Sequence, residues 1–170
     1  MPRKYPYYPV TTPGTGKLAG TEKFVDLCRK RWGFTNLGTW VVRPMRGKKT
    51  LSVHSLGVAC DIGYPATRAG RAAAREAWDW FMANTEALGI CEAHDYSFRN
   101  PKQPESDKTS WGRGYRCSRG EGSDPKSIKI YDSKENAGTP GGAWLHIELE
   151  MDMATDAKAL EAAWRALPKP

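Results

Sequence analysis

From Trp144 to Leu149 the chain alternates strictly, with Leu145, Ile147 and Leu149 at one parity and Trp144, His146 and Glu148 at the other. Successive side chains on a strand point to opposite faces, so this pattern dictates a half-buried β-strand. Its aliphatic set belongs on a core. The other face then carries an imidazole and a carboxylate whose Cβ atoms lie about 6 to 7 Å apart, given the strand rise. A second segment, Val58-Ala59-Cys60-Asp61-Ile62, also reads as a buried strand, and His54 lies just before it.

The chain has three histidines, His54, His94 and His146. Two imidazoles and one carboxylate make the ligand set of a zinc site that keeps a fourth position open, and neighbouring strands can bring residues distant in sequence onto one face. His54, Asp61 and His146 are the candidate set. Each half alone also fits a plainer role, a hydrogen-bonded structural histidine, because short motifs need structural context.

The other elements follow from periodicity and punctuation. Residues 1–20 are rich in Pro, Gly, Thr and Tyr without periodicity and read as a flexible N-terminal arm. Thr21 and Glu22 open a helix with Phe24, Leu27, Cys28 and Arg31 on successive turns, ending near Gly33. Thr39-Trp40-Val41-Val42-Arg43 reads as a strand. Thr67 can cap a helix from Arg68 to about Asn84 whose Ala74, Trp78 and Phe81 form an apolar stripe. Ile90 to Tyr96 and Ser127 to Tyr131 suggest strands, residues 99–110 a polar loop, and residues 155–167 a closing helix. The expected fold is a single α+β domain over residues 21–170, an antiparallel sheet flanked by helices with a zinc cleft across the sheet.

The 170 residues suffice for one core without disulfide support. The four cysteines, Cys28, Cys60, Cys91 and Cys117, contain no Cys-x-x-Cys pair and read as free thiols of a reducing cytoplasm. No apolar run is long enough to span a bilayer, and Met1-Pro2-Arg3-Lys4 leads into no signal-peptide core. The expectation is synthesis in a bacterial cytoplasm without a signal peptide. A formal net charge of +7 favours anionic partners. Arg29-Lys30-Arg31 and Arg46-Gly47-Lys48-Lys49 come with no nucleic-acid-binding signature, so neither a nucleic-acid partner nor membrane insertion is expected.

The run Ser52-x-His54-x-x-Gly57-x-Ala59-x-Asp61 resembles the signature of the M15 family of zinc peptidases, the D-alanyl-D-alanine carboxypeptidases, dipeptidases and L-alanyl-D-glutamate endopeptidases. The chain is most similar to the bacteriophage endolysins among them, over roughly residues 24–150. The resemblance implies a Zn2+ ion on His54, Asp61 and His146, and hydrolysis of an amide bond in the stem peptides of bacterial peptidoglycan by a monomer. Such a protein acts on the cell wall after release, through a holin-type lesion or from within a particle. The family usually carries an acidic general base three residues before its last histidine, and here that position is Ala143. Glu148 is then the first candidate for the missing function, with His94 and Asp132 behind it. Arg46 and Arg43 are candidates to stabilise the oxyanion or clamp a substrate carboxylate. Ser52, Trp111 and Arg113 complete the expected substrate-binding set, since Trp111 to Arg116 looks like the segment that walls the cleft in such endopeptidases. The alternative is a catalytically silent relative that binds wall peptides or serves as a structural part of a phage particle.

Overall fold

The computed structural model describes residues 1–104 and 109–169, so residues 105–108 of the expected polar loop and the last residue of the expected domain lie outside the described residues. It is a single α+β domain. In chain order it has α1 (Ala19–Trp32), β1 (Thr35–Gly38), β2 (Ala59–Gly63), α2 (Arg68–Ala83), β3 (Ile90–Asp95), β4 (Arg113–Arg116), β5 (Ile128–Ile130), α3 (Lys134–Ala137), β6 (Trp144–Leu149), α4 (Met151–Thr155) and α5 (Ala157–Ala166). Short 3₁₀ turns cover Val53–Leu56, Cys117–Arg119 and Pro125–Ser127.

The sheet runs β1-β2-β6-β3-β4-β5, and every pairing is antiparallel. β6 occupies its middle. The alternation places Leu145, Ile147 and Leu149, all fully buried, on one face with Cys60, Ile62 and Ala93. The helices cover that face. Burying these side chains supplies the main driving force, about 1.5–3 kcal/mol for each large aliphatic or aromatic side chain removed from water. α1 packs on β2 and carries α4 and α5 against it. Phe24, Phe81 and Trp164 meet edge to face or tilted, with Trp80 and Trp164 ring centroids 4.6 Å apart. Gly20 lets α1 approach α4 closely, because a Cβ there would run into the carbonyls of Met153 and Ala154.

The helices begin and end for local reasons. Thr67 accepts a hydrogen bond from the Gly70 amide and Asp156 accepts from the amides of Lys158 and Ala159, satisfying donors that a first helical turn leaves free. Gly33 closes α1 with φ 71°, a left-handed backbone that a side chain disfavours. Among the described residues, no helix is long and apolar enough to cross a membrane.

Two expectations need correction. The strand expected over Thr39–Arg43 lies upstream: Thr35–Gly38 pairs with β2, and the register shifts between Asn36 and Gly38. Trp40 and Val41 instead lie along the 3₁₀ turn, donating to the carbonyls of Ser55 and His54. The second correction concerns residues 1–20. They form a strap across the molecule, with Tyr7 and Val10 only 7% and 5% exposed. The Tyr7 hydroxyl donates to the Leu149 carbonyl, Arg3 pairs with Glu150 and donates to the Ile90 carbonyl, and the Gly14 amide donates to the Ser55 carbonyl. Low periodicity in the sequence marked an absence of regular structure here, and the tyrosines still had aromatic surface to bury.

Candidate metal centre

The second face of the sheet is polar. Alternation sends Asp61 from β2, His146 and Glu148 from β6, Glu92 and His94 from β3, and Arg116 from β4 toward a cleft of about 580 Å³. Cross-strand register makes Asp61 face His146, and His146 face His94. His54 arrives from the 3₁₀ turn Val53–Leu56, which ends at Gly57 with φ 79°. Gly57 is required by the N-terminal strap. Its missing side chain makes room for the strap, since a Cβ would approach Gly16 O to 2.5 Å.

Three ligand atoms converge on the cleft floor. Those of His54, Asp61 and His146 all lie within 4.8 Å of one another, and this group can hold a metal ion. His54 Nε2 is 3.4 Å from Asp61 Oδ2, and His146 Nδ1 is 2.9 Å from Asp61 Oδ1. Donor atoms about 2.0–2.2 Å from a tetrahedral zinc are about 3.3–3.5 Å apart. The His54–Asp61 spacing matches that value, the His146–Asp61 spacing is shorter as befits a hydrogen bond, and the three atoms as a group would have to draw together around an ion. Hydrogen bonds from both histidines hold the Asp61 carboxyl well below the usual range, outweighing the burial that would raise it. Its acceptor-only, ionised form is the ligating form.

His146 is held at both ends. Its Nε2 is 3.0 Å from Glu148 Oε1, whose other oxygen accepts from the Tyr5 hydroxyl at 2.7 Å. Burial alone would lower the His146 pKa, but the bonds to Asp61 and Glu148 push it up to about 10. In the metal-free chain a proton on Nδ1 therefore occupies the position an ion would take. With an ion there, Glu148 would accept from Nε2–H and fix the ligating tautomer, the usual arrangement of a carboxylate behind a metal-bound histidine. His54 lacks such support: its Nδ1 and the neighbouring Ser55 Oγ are buried without a hydrogen-bond partner among the described residues.

The remaining expected residues divide. Ser52, Arg43 and Arg46 line the cleft, and one Arg46 nitrogen donates to the Gly138 carbonyl across it at 2.8 Å. Arg113 does not belong to the site. It shares a parity with Tyr115, on the helix-covered face, where it is 3.2 Å from Asp95 and lies over the rings of Trp78 and Phe98. Trp111 precedes Gly112, whose φ is 94°, and does not line the cleft. The cleft-facing arginine of that segment is Arg116, paired with Glu92 at 2.6 and 3.1 Å. Ala143 packs against the core, and Asp132 lies outside the cleft lining, accepting from Asn136.

The sequence reading missed Tyr5, Glu92, Tyr131 and Arg116. Glu92 and His94 share a parity on β3, a signal of the same kind that exposed His146 and Glu148. Tyr5 and Tyr131 had no local signal. Compared with protein-family models, curated proteins and solved structures, the chain finds no match.

Glu148→Gln keeps the shape and removes the carboxylate behind His146. Loss of such an outer partner typically weakens metal affinity about 10- to 100-fold. Competition with a fluorescent zinc chelator should show a loss in that range, and an unchanged affinity would mean that Glu148 does not orient His146.

Proposed function

We propose that this chain is a zinc-dependent peptidase that cleaves an amide bond in peptidoglycan stem peptides. The observation that carries the reading is the convergence of His54, Asp61 and His146 on the floor of an open cleft, in the order and spacing of the Ser52–Asp61 signature. A bound zinc ion would supply Lewis acidity, polarising a scissile carbonyl and lowering the pKa of water. Zinc suits this donor set because imidazole and carboxylate are among its ordinary ligands.

The chain's own residues would do the rest. Glu148 keeps His146 in the tautomer that presents Nδ1. Arg46 and Lys48, on the turn closed by the Pro44–Leu51 bridge, and Arg43 just before it place positive charge at the cleft rim. Guanidinium groups there suit a substrate carboxylate, of which stem peptides carry several. Tyr5, Tyr8 and Tyr96 offer flat apolar walls with polar tips for an extended peptide.

A second reading has its own support. Ala143 offers no proton acceptor, and the metal-free chain already satisfies both His146 nitrogens, so a binding-only relative that holds wall peptides is chemically self-consistent. One experiment separates the two. Zinc-loaded protein is incubated with purified peptidoglycan, with and without chelator, and released peptides are identified by mass spectrometry. Zinc-dependent appearance of new amino termini supports the peptidase; co-sedimentation with peptidoglycan but no released peptide supports the binding protein.

A further inference from the structure

Between Asp26 and Asp61 the chain carries no acidic residue, yet it has Arg29, Lys30, Arg31, Arg43, Arg46, Lys48 and Lys49 there. The last four of these follow directly on an exposed apolar run. Leu37, Trp40, Val41 and Val42 are 54%, 37%, 41% and 48% exposed, and elsewhere among the described residues the exposed large apolar side chains are Met1, Tyr8, Ile130 and Met151. Single exposed apolar residues are ordinary, whereas a cluster this tight marks a contact surface.

The backbone holds this cluster away from the core. An extended segment lying flat on a domain buries every second side chain. Here Trp40, Val41, Val42, Arg43 and Pro44 are all exposed, so the segment stands out as a ridge. It is nevertheless fixed in place. The Val41 amide and the Trp40 indole donate to the carbonyls of His54 and Ser55, the Ser52 amide donates to the Arg43 carbonyl, and the Met45 amide donates to the Thr50 carbonyl. Arg46 to Lys49 form the tip of the turn so closed. None of Arg43, Arg46, Lys48 and Lys49 pairs with a carboxylate among the described residues. Glu22, which accepts from Thr39 beside the ridge, is paired with Lys17.

The occupant has to match both the cations and the aliphatic side chains. A second copy would set four unpaired cations against four more. Strand addition at β1 is also blocked, because the register shifts between Asn36 and Gly38 and the Asn36 side chain takes the Gly38 amide. A hydrophilic polyanion would match the cations and leave the two valines in water. Anionic headgroups above hydrocarbon satisfy both, with lysine and arginine reaching the phosphates and the tryptophan and valines entering the boundary beneath them.

We propose that the ridge from Leu37 to Lys49 docks this protein on the surface of an anionic lipid bilayer. The contact is peripheral, since the apolar stretch is far too short to span. Arg43 and Arg46 also line the cleft, so docking brings its mouth beside the headgroups. This inference stands apart from the zinc and hydrolytic readings.

Vesicle flotation of the full chain without metal tests it. Vesicles of equal parts phosphatidylcholine and phosphatidylglycerol should carry the protein, vesicles of phosphatidylcholine alone should not, and added salt should weaken the binding. The double change Val41→Ser and Val42→Ser, at two half-exposed positions, should weaken binding about tenfold or more. Lys49→Gln should weaken it about fivefold. Lys158→Gln, an exposed lysine on α5, should bind as wild type. Circular dichroism should be unchanged in all three. Failure of the wild type to float with the mixed vesicles overturns the proposal. So do unchanged binding in the valine double variant, which leaves only charge attraction, and an equal loss in Lys49→Gln and Lys158→Gln, which removes the ridge as the site. Dimers that form without lipid and are lost in the valine variant would make a second copy the occupant and overturn it as well.

Discussion

Replacing His146 by alanine is expected to strip the proposed zinc ion from the purified chain, and replacing His54 is expected to do the same. Each substitution leaves two donors where three converge, and the loss exceeds the 10- to 100-fold expected when an outer carboxylate is changed. Elemental analysis of wild type, His54→Ala and His146→Ala checks this; near-stoichiometric zinc in both variants would remove the assignment. The ion also has to displace a proton. Because the bonds to Asp61 and Glu148 push the His146 pKa up to about 10 without metal, metal binding at neutral pH should release about one proton from Nδ1, and apparent affinity should rise up to about tenfold per pH unit below that value. Calorimetry in two buffers with different ionisation heats measures the release directly.

Stability of the metal-free chain follows from the same shifts. The folded pKa of His146 lies above its ordinary value near 6.5, so its contribution is fully present below about 6.5 and is lost as pH rises toward 10. Asp61 is depressed, so its contribution is present above about 4 and is lost as pH falls. From these two groups the metal-free chain is most stable between about pH 4 and 6.5. Bound zinc replaces the proton and should abolish the alkaline loss. A metal-free melting temperature that stays flat from pH 6 to 10 would contradict the hydrogen bonding assigned to His146.

Deleting residues 1–10 should destabilise the fold severely, although they contain no helix or strand. The strap buries Tyr7 and Val10, and through Arg3 it also satisfies the Ile90 carbonyl and Glu150. Tyr7→Ala alone should cost about 3–5 kcal/mol, the scale for removing a buried aromatic ring. At about 2–4 °C per kcal/mol for a domain of this size, the midpoint of thermal unfolding falls by roughly 10 °C. Tyr5→Phe, which frees one Glu148 oxygen, should leave stability nearly intact and weaken zinc affinity instead. Full-length and shortened chains with the same midpoint would show that the strap is not part of the core.

The central strand was legible from the chain alone, because three aliphatic residues at one parity leave His146 and Glu148 only the other face. So were the cap at Thr67, the stop of α1 at Gly33, and the candidate set His54, Asp61 and His146, whose ligand chemistry is written in residue types. What those residues meet depends on packing. Parity states that Arg113 and Tyr115 share a face, but only packing against Trp78 and Phe98 shows that this face is the helix side, leaving Arg116 for the cleft. Glu148 was legible as a neighbour of His146; its engagement by Tyr5 depends on a strap more than 140 positions away along the chain. The hydrogen-bonded line Glu92–His94–Tyr131 joins β3 to a residue beyond β5 and passes over Gly114, so it exists only once three strands are in register. Local sequence fixes periodicity and propensity. Register and long-range burial are set by the whole chain closing on one core, and the chemistry of this cleft depends on both.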